Sequence, residues 1–491
     1  MVLAPSTHAT DQGLLPGVRV TRLSERDAVA PLDAAELLSG WPGLVLLESA
    51  RPGRRSRWTF LTADPVAVVL RPSAGRDPFA DARRMLARLD PSPPEAPADG
   101  SACPPFIGGL AGFLGYDLGL VFEPRAELVP NDQELPVLRL AVHDWVIAWD
   151  RRTGQAFLGG RAVDGDRRRL DDRLAEVRTR LVAGSRFGPA RADPVVDDPP
   201  AAELVFRSSL DRPAYEAGVG AIRRAIRDGE IYQANLTRRL ATPFEGDPWP
   251  LYRALRTGDP ALFAGYLDLG PGEAGARSGR PRAIASASPE AFLSVDAQGV
   301  VSTDPIKGTR PRGGSPEEDR ALAAELLASD KDRAENVMIV DVLRNDLGRV
   351  CRPGSVRVTR LCRLERTSAV QHLVSTVTGR LAPGRDAFDL LAASFPGGSI
   401  TGAPKIRAME ILEALEPVRR GPYTGCALWL GPDGQLGSSI LIRTFVADGA
   451  RLSLHVGGGI TWRSDPGEEW FETVAKARGP LRSISGREAE A

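Results

Sequence analysis

Several stretches carry side chains able to do chemistry. Lys307 lies in DPIKGTRPRGG, between strand-like residues and a Gly/Pro-rich loop. Exposed, it would be inert; buried, it would lose its proton more readily and serve as base or nucleophile. Glu290, in SASPEAFLSV, precedes an apolar strand and is either a strand-edge charge or a partly buried carboxyl suited to general acid work. Glu335 falls in the first turn of DRAENVMIVDVLRND, where the helix dipole favours a negative charge. In DPGEEWFETVAKARG, Glu469, Glu472 and Lys476 share one helix face, although an ordinary Glu472–Lys476 pair would also explain that face. Just before it, Gly457-Gly458-Gly459 follow the strand-like LSLHV. Read as a turn, they let backbone N–H groups approach an anion; a plain tight turn is the alternative. A carboxylate substrate bridged by Mg²⁺ reconciles an anion-binding turn with neighbouring carboxylates, because Mg²⁺ combines one or two protein carboxylates with substrate oxygens and water. Tyr423 and Arg443 (LIRTF) are suited to hold a carboxylate, the arginine bidentately.

Other chemistries lack their residues. The four histidines, His8, His143, His372 and His455, accompany no G-x-S-x-G elbow. There is no Walker A loop and no G-x-G-x-x-G after a strand, so no nucleotide cofactor is indicated. Four cysteines without C-x-x-C spacing argue against a disulfide framework or structural zinc, and make a reducing compartment the default. Equal counts of 63 basic and 63 acidic residues give no electrostatic case for a nucleic-acid or acidic-membrane partner. No apolar run is long enough to span a membrane, and MVLAPSTHATDQG does not read as a signal peptide, so a cytoplasmic location is expected.

The elements that must position these groups alternate in type. In a chain of 491 residues, strand-like runs occur at 44–47, 66–70, 138–142, 145–149 and 452–456. Helical patterns cover 167–181, 215–227, 315–327, 332–346, 405–414 and 466–478. FGPARADPVVDDPPAAE (187–203) reads as a linker between an N-terminal region, 15–186, and a second region, 204–483. Residues 270–282 read as a long hairpin loop and residues 1–14 as a loose tail. Mixed α/β follows from these patterns; the topology does not.

Taken together and in order, PIKGTRPRG, DRAENVMIVDVLRNDLGRVC, SFPGGSITGAPKIRAMEIL, GPYTGCALWL, SSILIRTF and GGGITWRSDPGEEWFETVAKA resemble the chorismate-utilising enzymes. That family includes component I of anthranilate synthase and of aminodeoxychorismate synthase, together with isochorismate and salicylate synthases. VLLES, SRWTFL and FIGGLAGFLGYD extend the resemblance into the N-terminal region. It implies an α/β (α+β) fold like that of anthranilate synthase component I: a large core of two antiparallel-rich sheets with flanking helices, and the active site between the sheets. It implies that Glu335 and Glu472 bind Mg²⁺, with Glu469 as helper. His372, Thr401, Tyr423, Arg443, Gly458, Gly459 and Lys476 are implied on the substrate side, and Glu290 as the acid that protonates the departing C4 hydroxyl.

The resemblance also separates the members. Isochorismate and salicylate synthases add water using a lysine base, whereas IYQANL here puts Gln233 at that position, and an amide cannot deprotonate water at neutral pH. Lys307 replaces the small residue usual in PIxGT and matches the aminodeoxychorismate type. There the lysine amine attacks C2 as the C4 hydroxyl leaves, and ammonia then attacks C4 and expels the lysine. YQANLT and FPGGSITGAPK agree. The expectation is therefore the chorismate-aminating synthase of p-aminobenzoate and folate formation; anthranilate synthase component I and a catalytically weak paralogue are the alternatives. VLLESA resembles a tryptophan-binding element, with Glu48 and Ser49 as its polar groups, or is simply a buried strand with a polar end. No cysteine sits in a glutaminase-like motif, so ammonia is expected from outside or from a separate glutaminase subunit.

Overall fold

The computed structural model describes residues 17–24, 27–50, 56–95, 100, 102–124, 129–186, 203–270, 279–367 and 370–489. The loose tail, nearly all of the expected linker and most of the 270–282 loop fall outside the described residues.

Strands with apolar side chains on both faces build two stacked sheets. Among the described residues, one has 13 strands and the other 10. Neighbours pair antiparallel throughout, except that Gly486–Glu488 runs parallel to Leu204–Ser208. The strand Trp145–Asp150 shows why such runs are buried along their whole length. Trp145, Ile147 and Trp149 point into a core shared with outer helices, while Val146 and Ala148 point into a second core between the sheets. The same period-two division splits Leu46 from Val45 and Leu61 from Phe60. Both sheets take strands from either side of 187–203. The 13-stranded sheet joins Val45–Glu48 to Phe263–Asp268, and the 10-stranded sheet joins Gly109–Leu114 to Cys426–Leu430.

Helices cover the outer faces. Pro466–Ser483 starts at Asp465, whose carboxylate accepts from the N–H groups of Gly467 and Glu468, with Pro466 in the first turn. Asp330–Gly348 is capped by Ser329 and pinned to the strand Val370–Arg380: Asn336 Nδ2 donates to the Leu373 carbonyl at 3.2 Å. The patterns at 167–181, 215–227, 315–327, 332–346, 405–414 and 466–478 all fall on helices.

Gly457-Gly458-Gly459 form no turn. They lie inside the strand Arg451–Ile460, where Gly458 pairs with Leu236 and Gly459 with Asn235. The reason is crowding: a Cβ on Gly457 would stand 2.4 Å from the Leu236 carbonyl oxygen, and one on Gly459 2.5 Å from Gln233 Nε2.

Candidate active site

The chain crosses between the sheets at two of the singled-out residues. Glu290 separates the strand Ala283–Ser288 of one sheet from Ala291–Val295 of the other. Arg443 separates Leu436–Ile440 from Thr444–Ala447 in the reverse direction. The remaining groups come from elements around these crossings.

Lys307 sits on the strand Ile306–Pro311, where the pairing with Val370–Arg380 slips between Lys307 and Thr309. Gly308, at φ +71°, makes that bulge possible, and a bulge re-aims the side chain beside it. Lys307 Nζ donates to the Ser399 carbonyl at 3.4 Å, and its charge acts on Glu290, Glu335 and Glu472. Glu290 is 9% exposed. Burial pushes its pKa up to about 7, against the opposing pull of Lys307, a Ser399 hydrogen bond and Lys476. Glu290 is therefore half protonated near neutrality, as a general acid needs.

The glutamates gather on two helices. The first turn of Asp330–Gly348 holds Asp330 and Asp332, because the helix starts two residues earlier than the pattern suggests, and Glu335 lies in the second turn. Burial raises the pKa of Glu335, and its Oε1 is buried without a partner. Burial also raises Glu469, whose Oε2 would stand 2.9 Å from a Cβ on Gly458. Desolvation works against the ionised Glu472, but Lys476, Lys331 and Lys307 outweigh it and hold the carboxyl below its usual range. Lys476 Nζ lies 2.7 Å from Glu472 Oε1 and also donates to the Gly457 carbonyl at 2.8 Å. Among the described residues, no three His, Cys, Asp or Glu side chains stand together at metal-holding geometry. The donor set nonetheless suits a hard cation: carboxylate oxygens, one of them an orphaned buried acceptor.

Thr401 is fully buried and donates to the Gly397 carbonyl at 2.9 Å. His372 Nδ1 lies 2.9 Å from Thr309 Oγ1. Tyr423 is buried, and its ring stacks on His455 at 5.0 Å with 12° between planes. Arg443 pairs with Asp259. Gln233 is fully buried with neither amide atom bonded.

Glu48 and Ser49 stand elsewhere. They line a cavity of about 250 Å³ with Phe263, Trp429 and Ser438, and neither Lys307, Glu290, Glu335 nor Glu472 reaches it. The Glu48 carboxylate is already bound by Arg256 at 2.6 and 2.7 Å and by Tyr252 at 3.0 Å, and Ser49 Oγ donates to the Trp58 carbonyl.

Sequence reasoning passed over several participants. Ser399 touches both Lys307 and Glu290. Lys405 ties its loop to Asp346 at 3.1 Å and to the Ser394 carbonyl at 3.0 Å, and Arg420 holds the Ile400 carbonyl at 3.1 Å. The clue available was a lysine and an arginine flanking a Gly/Pro-rich loop.

The two-sheet core brings these acids, lysines and one arginine to the seam where the chain crosses between the sheets. The profile of the chorismate binding enzymes matches residues 45–482, and the chain belongs to that family. It is 39% identical over 473 residues to anthranilate synthase component 1 of Streptomyces coelicolor, covering 95% of this chain and 88% of that protein. It is 36% identical over 470 residues to aminodeoxychorismate synthase component 1 of Klebsiella aerogenes, covering 92% and 97%. Anthranilate synthase component I from Streptococcus pneumoniae superimposes with a TM-score of 0.73 at 29% identity, over 89% of this chain and 93% of that one. The menaquinone-specific isochorismate synthase of Escherichia coli shares the fold, with a TM-score of 0.68 at 19% identity over 96% and 95%. Among the described residues, no helix is long and apolar enough to cross a membrane.

Proposed function

We propose that this chain is the synthase component of an aminodeoxychorismate synthase. It would aminate chorismate at C4 with ammonia to give 4-amino-4-deoxychorismate. The observation that carries this reading is Lys307, set on a bulge among Glu290, Glu335 and Glu472. After giving a proton to solvent, its amine forms a bond to C2, both ring double bonds shift, and the C4–O bond breaks. Glu290 gives its proton to the leaving hydroxyl, which departs as water. Ammonia then bonds to C4, both ring double bonds shift back, the C2–N bond breaks, and Lys307 leaves as the amine. While attached, the lysine blocks C2 and steers ammonia to C4.

Arg443 and Lys476 would hold substrate carboxylates, with His372, Thr401, Tyr423 and the backbone of Gly458 and Gly459 shaping the rest of the pocket. Glu335 and Glu472, with Glu469 beside them, would hold Mg²⁺; the chemistry it supplies when bound is neutralisation of a substrate carboxylate. The relatives are named as component 1 proteins, which supports ammonia delivery by a separate glutaminase subunit. A cytoplasmic setting and a role in p-aminobenzoate supply for folate belong to the same proposal. The Glu48–Ser49 cavity would take the regulatory tryptophan, with Glu48 fixed by Arg256 as one wall.

Anthranilate synthase is the second reading, favoured by 39% against 36% identity. Identity over some 470 residues mainly reflects the shared scaffold, whereas Lys307 stands at the chemistry. Product analysis separates the two. With chorismate, Mg²⁺ and an ammonium salt, aminodeoxychorismate without pyruvate is expected; anthranilate with equal pyruvate would overturn the proposal. Without ammonia, the intact protein should gain the mass of chorismate less water, and Lys307→Ala should not.

A further inference from the structure

Ser399 touches both groups to which the proposed reaction assigns the chemistry. Its carbonyl accepts from Lys307 Nζ at 3.4 Å, and its Oγ donates to Glu290 Oε1 at 3.4 Å. Both contacts are long, which is common before substrate tightens a site. A hydroxyl has one proton to donate, and the oxygen that receives it acts as acceptor. The proton of an acidic Glu290 is then left to Oε2.

We propose that Ser399 is the positioning residue of the Lys307–Glu290 pair: its carbonyl holds the amine, and its hydroxyl confines the acid proton to Glu290 Oε2. This rests on the roles assigned above to Lys307 and Glu290.

The loop does not need the hydroxyl to keep its shape. Thr401 Oγ1 bonds Gly397, Arg420 Nη1 bonds Ile400 and Lys405 Nζ bonds Ser394, all at backbone carbonyls. The charged groups facing Glu290 are Lys307 from its strand and Lys476 from the C-terminal helix. Ser399 adds a donor that favours the ionised carboxyl, so its loss should let Glu290 keep its proton to higher pH.

The test is kcat, KM and the pH profile of Ser399→Ala and Ser399→Thr with chorismate and ammonia. For Ser399→Ala we expect kcat to fall about 100-fold at nearly unchanged KM, with the alkaline limb moved to higher pH. Ser399→Thr keeps the hydroxyl and should recover most of the rate and the original limb. A Ser399→Ala protein with ordinary kcat and limb would overturn the inference. So would a rate loss with an unmoved limb and no rescue by threonine, which would mark a loop defect. The two readings fail separately. If the unaltered protein makes aminodeoxychorismate and Ser399→Ala matches it, only this inference falls. If the unaltered protein makes anthranilate, the Lys307 reading falls whatever Ser399→Ala does.

Discussion

Asp259 holds Arg443: Nη1 of the arginine donates to Oδ1 of the aspartate at 3.4 Å. Both ends are fixed by backbone. Arg443 has φ +50°, a left-handed conformation that costs a residue with a side chain about 1 kcal/mol, and its carbonyl accepts from Ala287 N at 3.0 Å. Asp259 ends the helix Pro248–Gly258, which Glu48 anchors through Arg256 and Tyr252. In the free protein, the guanidinium proposed for a substrate carboxylate therefore already has an anion beside it.

Asp259→Asn should lower the KM for chorismate and leave kcat unchanged. The pair is half exposed on the arginine side, with 46% of that side chain accessible. Such a pair contributes at most about 1 kcal/mol, which limits the gain to about fivefold. Steady-state kinetics at low salt checks this. An unchanged or raised KM would show that Asp259 orients Arg443 instead of competing for it.

Glu290 ties stability and rate to pH in the same direction. Its folded pKa is raised from the ordinary 4.5 to about 7. Through that window the folded protein keeps a proton that the unfolded chain has released. Stability should fall as pH rises across it, by about 3 kcal/mol in all. Glu290→Gln should remove this loss, narrowing the gap in denaturant midpoint between pH 5 and pH 8, while nearly abolishing turnover. Equal pH sensitivity in the two proteins would refute the buried acid. In the unaltered protein, the rate should decline above about pH 7 as the acid form disappears.

Glu335 and Glu472 reach the site from different helices, Asp330–Gly348 and Pro466–Ser483. Replacing either with glutamine removes one charged oxygen donor, and Mg²⁺ affinity in the presence of chorismate should drop at least about tenfold in each case. Calorimetric titration measures this without relying on turnover. Undiminished affinity in both variants would place the cation elsewhere.

The sequence made the elements legible because their periodicity is local. Trp145–Trp149 reads as a strand and Pro466–Arg478 as a helix, and both form. What it hid is set by long-range pairing. A glycine triplet looks like a turn until the partner strand is known; Leu236 opposite Gly458 decides it, 222 residues away in the chain. Ser399 lies 92 residues from Lys307 and 109 from Glu290, so no motif joins them. Asp259 was invisible for the same reason, since its partner is 184 residues on. Lys307, Glu290 and the glutamates could be named because each sits in a short segment of its own. That His455 backs the ring of Tyr423 could be learned only from the folded sheet.

Gly459 makes the crowding measurable. A methyl group there would stand 2.5 Å from Gln233 Nε2, at the end of a fully buried side chain. Gly459→Ala must therefore push the amide aside, and overpacking of this kind costs about 1–3 kcal/mol. Gln233→Ala removes the obstructing atoms and, with them, a buried amide that has no bonded partner. If the clash is the cause, the double variant should melt higher than Gly459→Ala alone, giving a coupling of about 1 kcal/mol or more in a double-mutant cycle. The strand would regain its pairing, but chorismate binding should stay weak if, as proposed, the backbone of Gly459 borders the substrate. Additive losses in melting temperature would mean that the glycine is needed for the strand backbone and not for its contact with Gln233.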